Sequence, residues 1–140
     1  MQPRITVLTL GVDSLTRSLE FYRDGLGLTT AGIVGTEFED GAVVFFDLHC
    51  GVKLALWPRE SMANDTGLPL QARQALAMTI GHNVSSKDEV HFVMEQARKA
   101  GARIVKPAAD TFYGGYAGYF MDPDEHVWEI VFNPDMLPAT

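Results

Sequence analysis

A single cysteine, Cys50, stands in the 140 residues, so no disulfide can close within the chain. That scarcity suits a reducing, cytoplasmic setting. Cys50 lies in a turn-like stretch, His49-Cys50-Gly51, and no other feature supports catalysis there. Basic residues are also few. Eleven Lys and Arg against 18 Asp and Glu leave a net charge of -7, which disfavours nucleic acid as a partner. No apolar run approaches the roughly 20 residues of a membrane span, so no membrane partner is expected. The N-terminus, Met1-Gln2-Pro3-Arg4, moves straight into a strand with no signal-peptide pattern. There is no glycine loop followed by Lys-Ser/Thr, no G-x-S-x-G elbow and no C-x-x-C pair. Gly25-Leu26-Gly27 is a helix stop, not a nucleotide fingerprint. The 46% hydrophobic and 21% charged residues that remain fit a globular domain with a sizeable core.

The order of elements repeats. Residues 5–12 read as a strand, with Leu8, Leu10 and Val12 on one face and Val7, Thr9 and Gly11 on the other. Asp13 or Ser14 caps a helix whose stripe is Leu15, Leu19, Tyr22 and Leu26, widened by Phe21. Strands follow over 28–34, 42–48 and 52–57, the first weak at Ala31-Gly32. Residues 58–75, with Pro58, Pro69 and Gly67, read as a connector with short helical turns near 59–62 and 70–75. Then come a strand over 77–84, a Ser85 or Ser86 cap, a helix over 87–100 and a short strand over 103–107. The helix stripe is Val90, Val93, Met94 and Ala97, with Phe92 alongside. Residues 108–113 read as a loop and 136–140 as a tail.

A final hairpin organises the rest. Residues 118–121 form one strand, Asp122-Pro123-Asp124-Glu125 the turn, and 126–132 the return strand. Its one acid inside an apolar run is Glu129, between Trp128 and Ile130. A carboxylate there is costly unless it has a partner or faces a cavity. Each half alone is too small to bury its sheet, so the halves are expected to pair. The fold class expected is α+β, two βαβββ modules forming a cupped mixed sheet around a shared cavity. The single domain comprises module one (4–58), a connector (59–76) and module two (77–134).

Three stretches carry a family resemblance. They are Gly11-Val12-Asp13-Ser14-Leu15; Ser18-Leu19-Glu20-Phe21-Tyr22 with Gly25-Leu26-Gly27; and Gly118-Tyr119-Phe120-Met121-Asp122-Pro123-Asp124 with His126-Val127-Trp128-Glu129. Together they resemble the vicinal oxygen chelate superfamily, which includes glyoxalase I, fosfomycin and bleomycin resistance proteins, and extradiol dioxygenases. The resemblance implies paired βαβββ modules, a pocket in the concavity and a homodimer. It also implies a divalent metal held by one residue from the first and one from the last strand of each module, polarising substrate oxygens. Carried over one at a time, those positions are Val7, then Ala55 or Leu54, then Thr79, then Glu129. Only Glu129 can bind a metal, where a catalytic zinc takes three protein ligands. No cofactor is therefore expected.

Glu129 is the candidate catalytic or anchoring residue, with three readings. It is a carboxylate hydrogen-bonded to Thr79, Asn83 or a tyrosine; a pocket base; or a lone metal ligand helped by waters. Thr9, Trp57, Thr79, Asn83, Phe112, Tyr113 and Tyr116 are candidate ligand-binding residues. Strand parity sets Thr79, Gly81 and Asn83 on the cavity face and His82 toward the helix layer, as a packed or hydrogen-bonded core histidine. His126 and His49 read as exposed turn residues, and His91 as a helix-surface one. The glycines and aromatics of residues 111–116 fit either a flap over the pocket or a hairpin entry packed on the core. Three functions stay open: a protein that binds or sequesters a small organic molecule without the usual metal site; a lyase, isomerase or dioxygenase using an atypical metal set or Glu129 as a base; or a non-binding dimeric scaffold or accessory subunit.

Overall fold

The computed structural model describes residues 1–138. The last two residues of the expected tail lie outside that range. The chain divides into two compact units, Met1–Ala72 and the part from Arg73 onward. Each unit is a βαβββ module, and the architecture is α+β. Among the described residues no helix is long and apolar enough to cross a membrane.

In module one, β1 (Val7–Val12) leads to α1 (Leu15–Leu19), which runs on into a π-helical stretch over Glu20–Gly25. Ser14 caps α1, its hydroxyl accepting from the Arg17 N–H at 3.2 Å. The strands β2 (Thr30–Val34), β3 (Val43–Asp47) and β4 (Lys53–Pro58) complete a sheet of order β1-β4-β3-β2. Only β1 and β4 run parallel. Pairing of β2 with β3 is irregular between Thr30 and Ile33, where Gly32 has φ 88°. The core lies under the helix: Leu10, Val12, Val44, Phe46, Leu54 and Leu56 from the sheet meet Leu19, Phe21 and Tyr22. The Tyr22 and Phe46 rings stand 5.9 Å apart. The connector begins with α2 (Arg59–Thr66), longer than the single turn expected, and ends in a 3-10 turn at Ala75–Ala77.

Module two repeats this plan with β5 (Thr79–Val84), α3 (Lys87–Lys99), β6 (Arg103–Asp110), β7 (Tyr116–Met121) and β8 (Val127–Phe132), in the order β5-β8-β7-β6. Ser86 caps α3, accepting from the Glu89 N–H at 3.1 Å. The Glu89 carboxylate reaches back to the Ser85 N–H at 2.8 Å. Val90, Met94 and Ala97 are buried. Phe92 is 69% exposed, not part of the stripe. Two residues from both Val90 and Met94 on a 3.6-residue helix, it falls on the outer side. Strand β6 runs past Pro107, where the sequence reading stopped it. As the sheet's edge strand it can present proline's missing N–H to solvent. Gly118 lets α3 approach β7, since a Cβ there would stand 2.8 Å from Met94 Cε.

The turn joining β7 to β8 is held by buried carboxylates. Asp122 accepts from the Asp124 N–H at 2.9 Å, the His126 N–H at 2.8 Å and the His126 ring Nδ1 at 2.7 Å. His126 is thus half-buried and bonded, not the exposed turn residue its position implied. Asp124, also buried, pairs with Arg73 at 3.2 Å. Glu125 closes the turn with its N–H on the Asp122 carbonyl and a φ of 69°. That left-handed backbone costs a residue with a Cβ about 1 kcal/mol. Glu125→Gly should therefore stabilise the chain by up to about 0.5 kcal/mol after the extra chain entropy of glycine is offset. Urea denaturation checks the sign.

Candidate functional site

The hairpin turn sets the register of β7 on β8, and that register builds the site. Tyr119 falls opposite Glu129, and Gly81 lies beside Glu129 on the other flank. Lys106 of β6 falls opposite Tyr119, between two register shifts. One row therefore crosses the sheet: Lys106, Tyr119, Glu129, Gly81. A Cβ at Gly81 would meet nothing within 4 Å, so the carboxylate has open space on that side.

Tyr119 donates its phenolic proton to Glu129 Oε2 in a hydrogen bond. Of the partners open to Glu129 in the sequence, the structure selects a tyrosine. The bond to the charged carboxylate, then burial, pushes the Tyr119 phenol up to about 12 from an ordinary 10.0. Because the folded pKa is raised, its contribution to stability is intact below pH 10.0 and fades as pH climbs through about 12. Glu129→Gln should return the phenol toward its ordinary value, by about a unit or more, since the charged acceptor is gone. Phenolate absorbance against pH, with Tyr119→Phe to identify the signal among the four tyrosines, measures the shift.

This row opens into a cavity of about 190 Å³, lined by Lys106, Ala109, Asp110, Thr111, Phe112, Tyr113, Ala117, Tyr119 and Glu129. The turn between β6 and β7 forms its rim. Thr111 pins the base of that turn: its N–H donates to the Gly115 carbonyl at 3.0 Å, and its hydroxyl accepts from the Gly115 N–H at 2.9 Å. Gly114 has φ 86°, a backbone that suits glycine. At the tip Phe112 and Tyr113 meet edge to face, with centroids 5.2 Å apart. Phe112 is fully exposed.

Of the candidate residues, Glu129, Phe112 and Tyr113 come together in this cavity. Thr79 and Asn83 share the Glu129 side of the sheet through the β5–β8 register but do not line it. Tyr116 sits on the opposite side, with its hydroxyl 2.8 Å from His91 Nε2 and Lys87 Nζ over its ring. His82 shares its side of the sheet with Ile130, as strand parity requires. Yet it is exposed on the edge strand, not packed in the core. Thr9 and Trp57 belong to module one. Thr9 is exposed, and the half-buried Trp57 donates its indole N–H to the Asp40 carbonyl at 2.8 Å, anchoring the loop before β3.

The residues missed were Tyr119 and Lys106. For Tyr119 a signal existed: a hairpin's turn length fixes its register, and the turn at 122–126 places Tyr119 across from Glu129. For Lys106 none did, because the irregular edge strand hid its face. The registers also settle module one. Ala55 lies between Thr9 and Phe45 as Glu129 lies between Gly81 and Tyr119, so Ala55, not Leu54, is the counterpart of Glu129. The implied metal positions are therefore Val7, Ala55, Thr79 and Glu129. Among the described residues no three His, Cys, Asp or Glu side chains converge. Of these four, only Glu129 carries a side chain of the usual metal-ligand kind.

The chain matches known proteins along most of its length. It is similar in structure to a glyoxalase-related enzyme from Fulvimarina pelagi, with 34% identity, 94% of this chain and 89% of that one covered, and a TM-score of 0.79. It also resembles a glyoxalase/bleomycin resistance protein/dioxygenase from Nocardioides, with 28% identity, coverage of 100% and 90%, and a TM-score of 0.75. At 22% identity, the fosfomycin resistance protein FosX from Listeria monocytogenes shares the fold, with a TM-score of 0.69 and 95% of each chain covered. Among curated proteins none matches. The family model matches residues 4–130, and the chain belongs to the Glyoxalase/Bleomycin resistance protein/Dioxygenase superfamily.

Proposed function

We propose that this chain binds a small organic molecule in the module-two cavity, in a sequestering or carrier role. Glu129 is its polar anchor, and the family's four-ligand metal centre has no part in it. The observation that carries this reading is the half-buried Glu129 carboxylate, held by Tyr119 inside a cavity with an aromatic rim. Sites for small molecules combine apolar walls with a few placed polar groups. The cavity is smaller than the roughly 300 Å³ at which drug-sized sites begin, so the ligand is metabolite-sized. Tyr119 occupies Oε2 and fixes the carboxylate's orientation, which leaves Oε1 for a donor on the ligand. The donor set at the family's metal positions supports a binder over metal chemistry. A homodimer, implied by the family, belongs to the proposal and is tested by sedimentation.

A thermal-shift screen against small organic acids, amines and thiols tests the reading. A compound at 100 times its Kd should stabilise the chain by about 2.7 kcal/mol, and Glu129→Ala should cut that gain by about half or more. A screen in which nothing stabilises the chain contradicts the binding role. Stoichiometric divalent metal in protein purified without chelator, lost in Glu129→Ala, contradicts the metal-free site.

A further inference from the structure

We propose that the ligand of this cavity is a small zwitterion, its protonated amine meeting Glu129 and its acidic group meeting Lys106. This rests on the binding role proposed above and names the ligand's class. The cavity wall holds three charged side chains, Lys106, Asp110 and Glu129. Asp110 is already matched by Lys87 at 3.1 Å. Among the described residues Lys106 makes no hydrogen bond or ion pair, and Glu129 is bonded only to the neutral phenol of Tyr119. One cation and one anion therefore face the same small space without compensating each other. Tyr119 stands between them in the row, so their strands lie about 10 Å apart, two inter-strand spacings. A ligand with one charge would satisfy one of these groups and place the other against an apolar body. A ligand with both satisfies each, and its apolar part can rest on Phe112, which is fully exposed, and on the open part of Tyr113.

Four probes test this on the intact chain by calorimetry: phenylalanine and 4-(aminomethyl)phenylacetate, zwitterions of short and long charge separation, and the singly charged phenethylamine and 3-phenylpropanoate. At least one zwitterion should bind about tenfold or more tighter than either singly charged probe, the worth of one charge-assisted hydrogen bond. Lys106→Met should erase the advantage over the amine, and Glu129→Gln the advantage over the acid. Lys106 is exposed, so its variant folds. If neither zwitterion binds tighter than the better singly charged probe, or none of the four binds, the inference is overturned. An uncharged or singly charged ligand from the wider screen that still depends on Glu129 would leave the binding role standing and remove only the zwitterion.

Discussion

Asp122→Ala is expected to lower the melting temperature by about 10 °C. The Asp122 side chain is fully buried and accepts hydrogen bonds from the Asp124 N–H, the His126 N–H and the His126 ring. Alanine leaves those donors without a partner, at about 1 kcal/mol each or more, so the total is about 3 kcal/mol. For a chain of this size that corresponds to about 10 °C. The turn also sets the β7–β8 register, so the variant should lose ligand stabilisation along with thermal stability. Asp122→Asn keeps the shape and one acceptor oxygen, and about half the loss is expected. Differential scanning calorimetry of the two variants measures both. A drop of a degree or less for Asp122→Ala would mean that the turn is held by something other than this carboxylate.

Glu129→Ala should weaken ligand binding by about tenfold or more, because a charge-assisted hydrogen bond is lost. Stability should change little. The carboxylate is half-buried, makes one hydrogen bond and stands beside open space at Gly81. The fold already accepts alanine at the equivalent position, since Ala55 sits 1% exposed in module one. Tyr119→Phe removes the orienting donor but keeps the anion, so a smaller loss of about threefold is expected. A titration of both variants with a ligand from the screen separates the two roles. Equal affinities for Glu129→Ala and the unaltered chain would take Glu129 out of the site.

The modular plan was legible because short-range chemistry writes it into the sequence. Ser14 and Ser86 cap as their positions ask, and the stripes of α1 and α3 point at their sheets. Glu129 stood out for a similar reason, as a carboxylate inside a strand. Side-chain partners across strands were harder to see. The pairing of Tyr119 with Glu129 follows from a turn length and needed the hairpin laid out residue by residue. Lys106 was hidden by irregular pairing on an edge strand, and the side that Tyr116 takes became visible only once β7 was seen to begin there, three residues before Tyr119. His126 could not be placed without knowing that Asp122 turns its carboxylate inward.

Amide chemical shifts followed while a ligand from the screen is added test the account most directly. Perturbations should gather at Lys106, Tyr113, Tyr119 and Glu129, and leave Thr9, Phe45 and Ala55 in place. Saturation should come at one ligand per chain. Shifts centred on module one, or spread without a focus around Glu129, would contradict a binding centre in the second module.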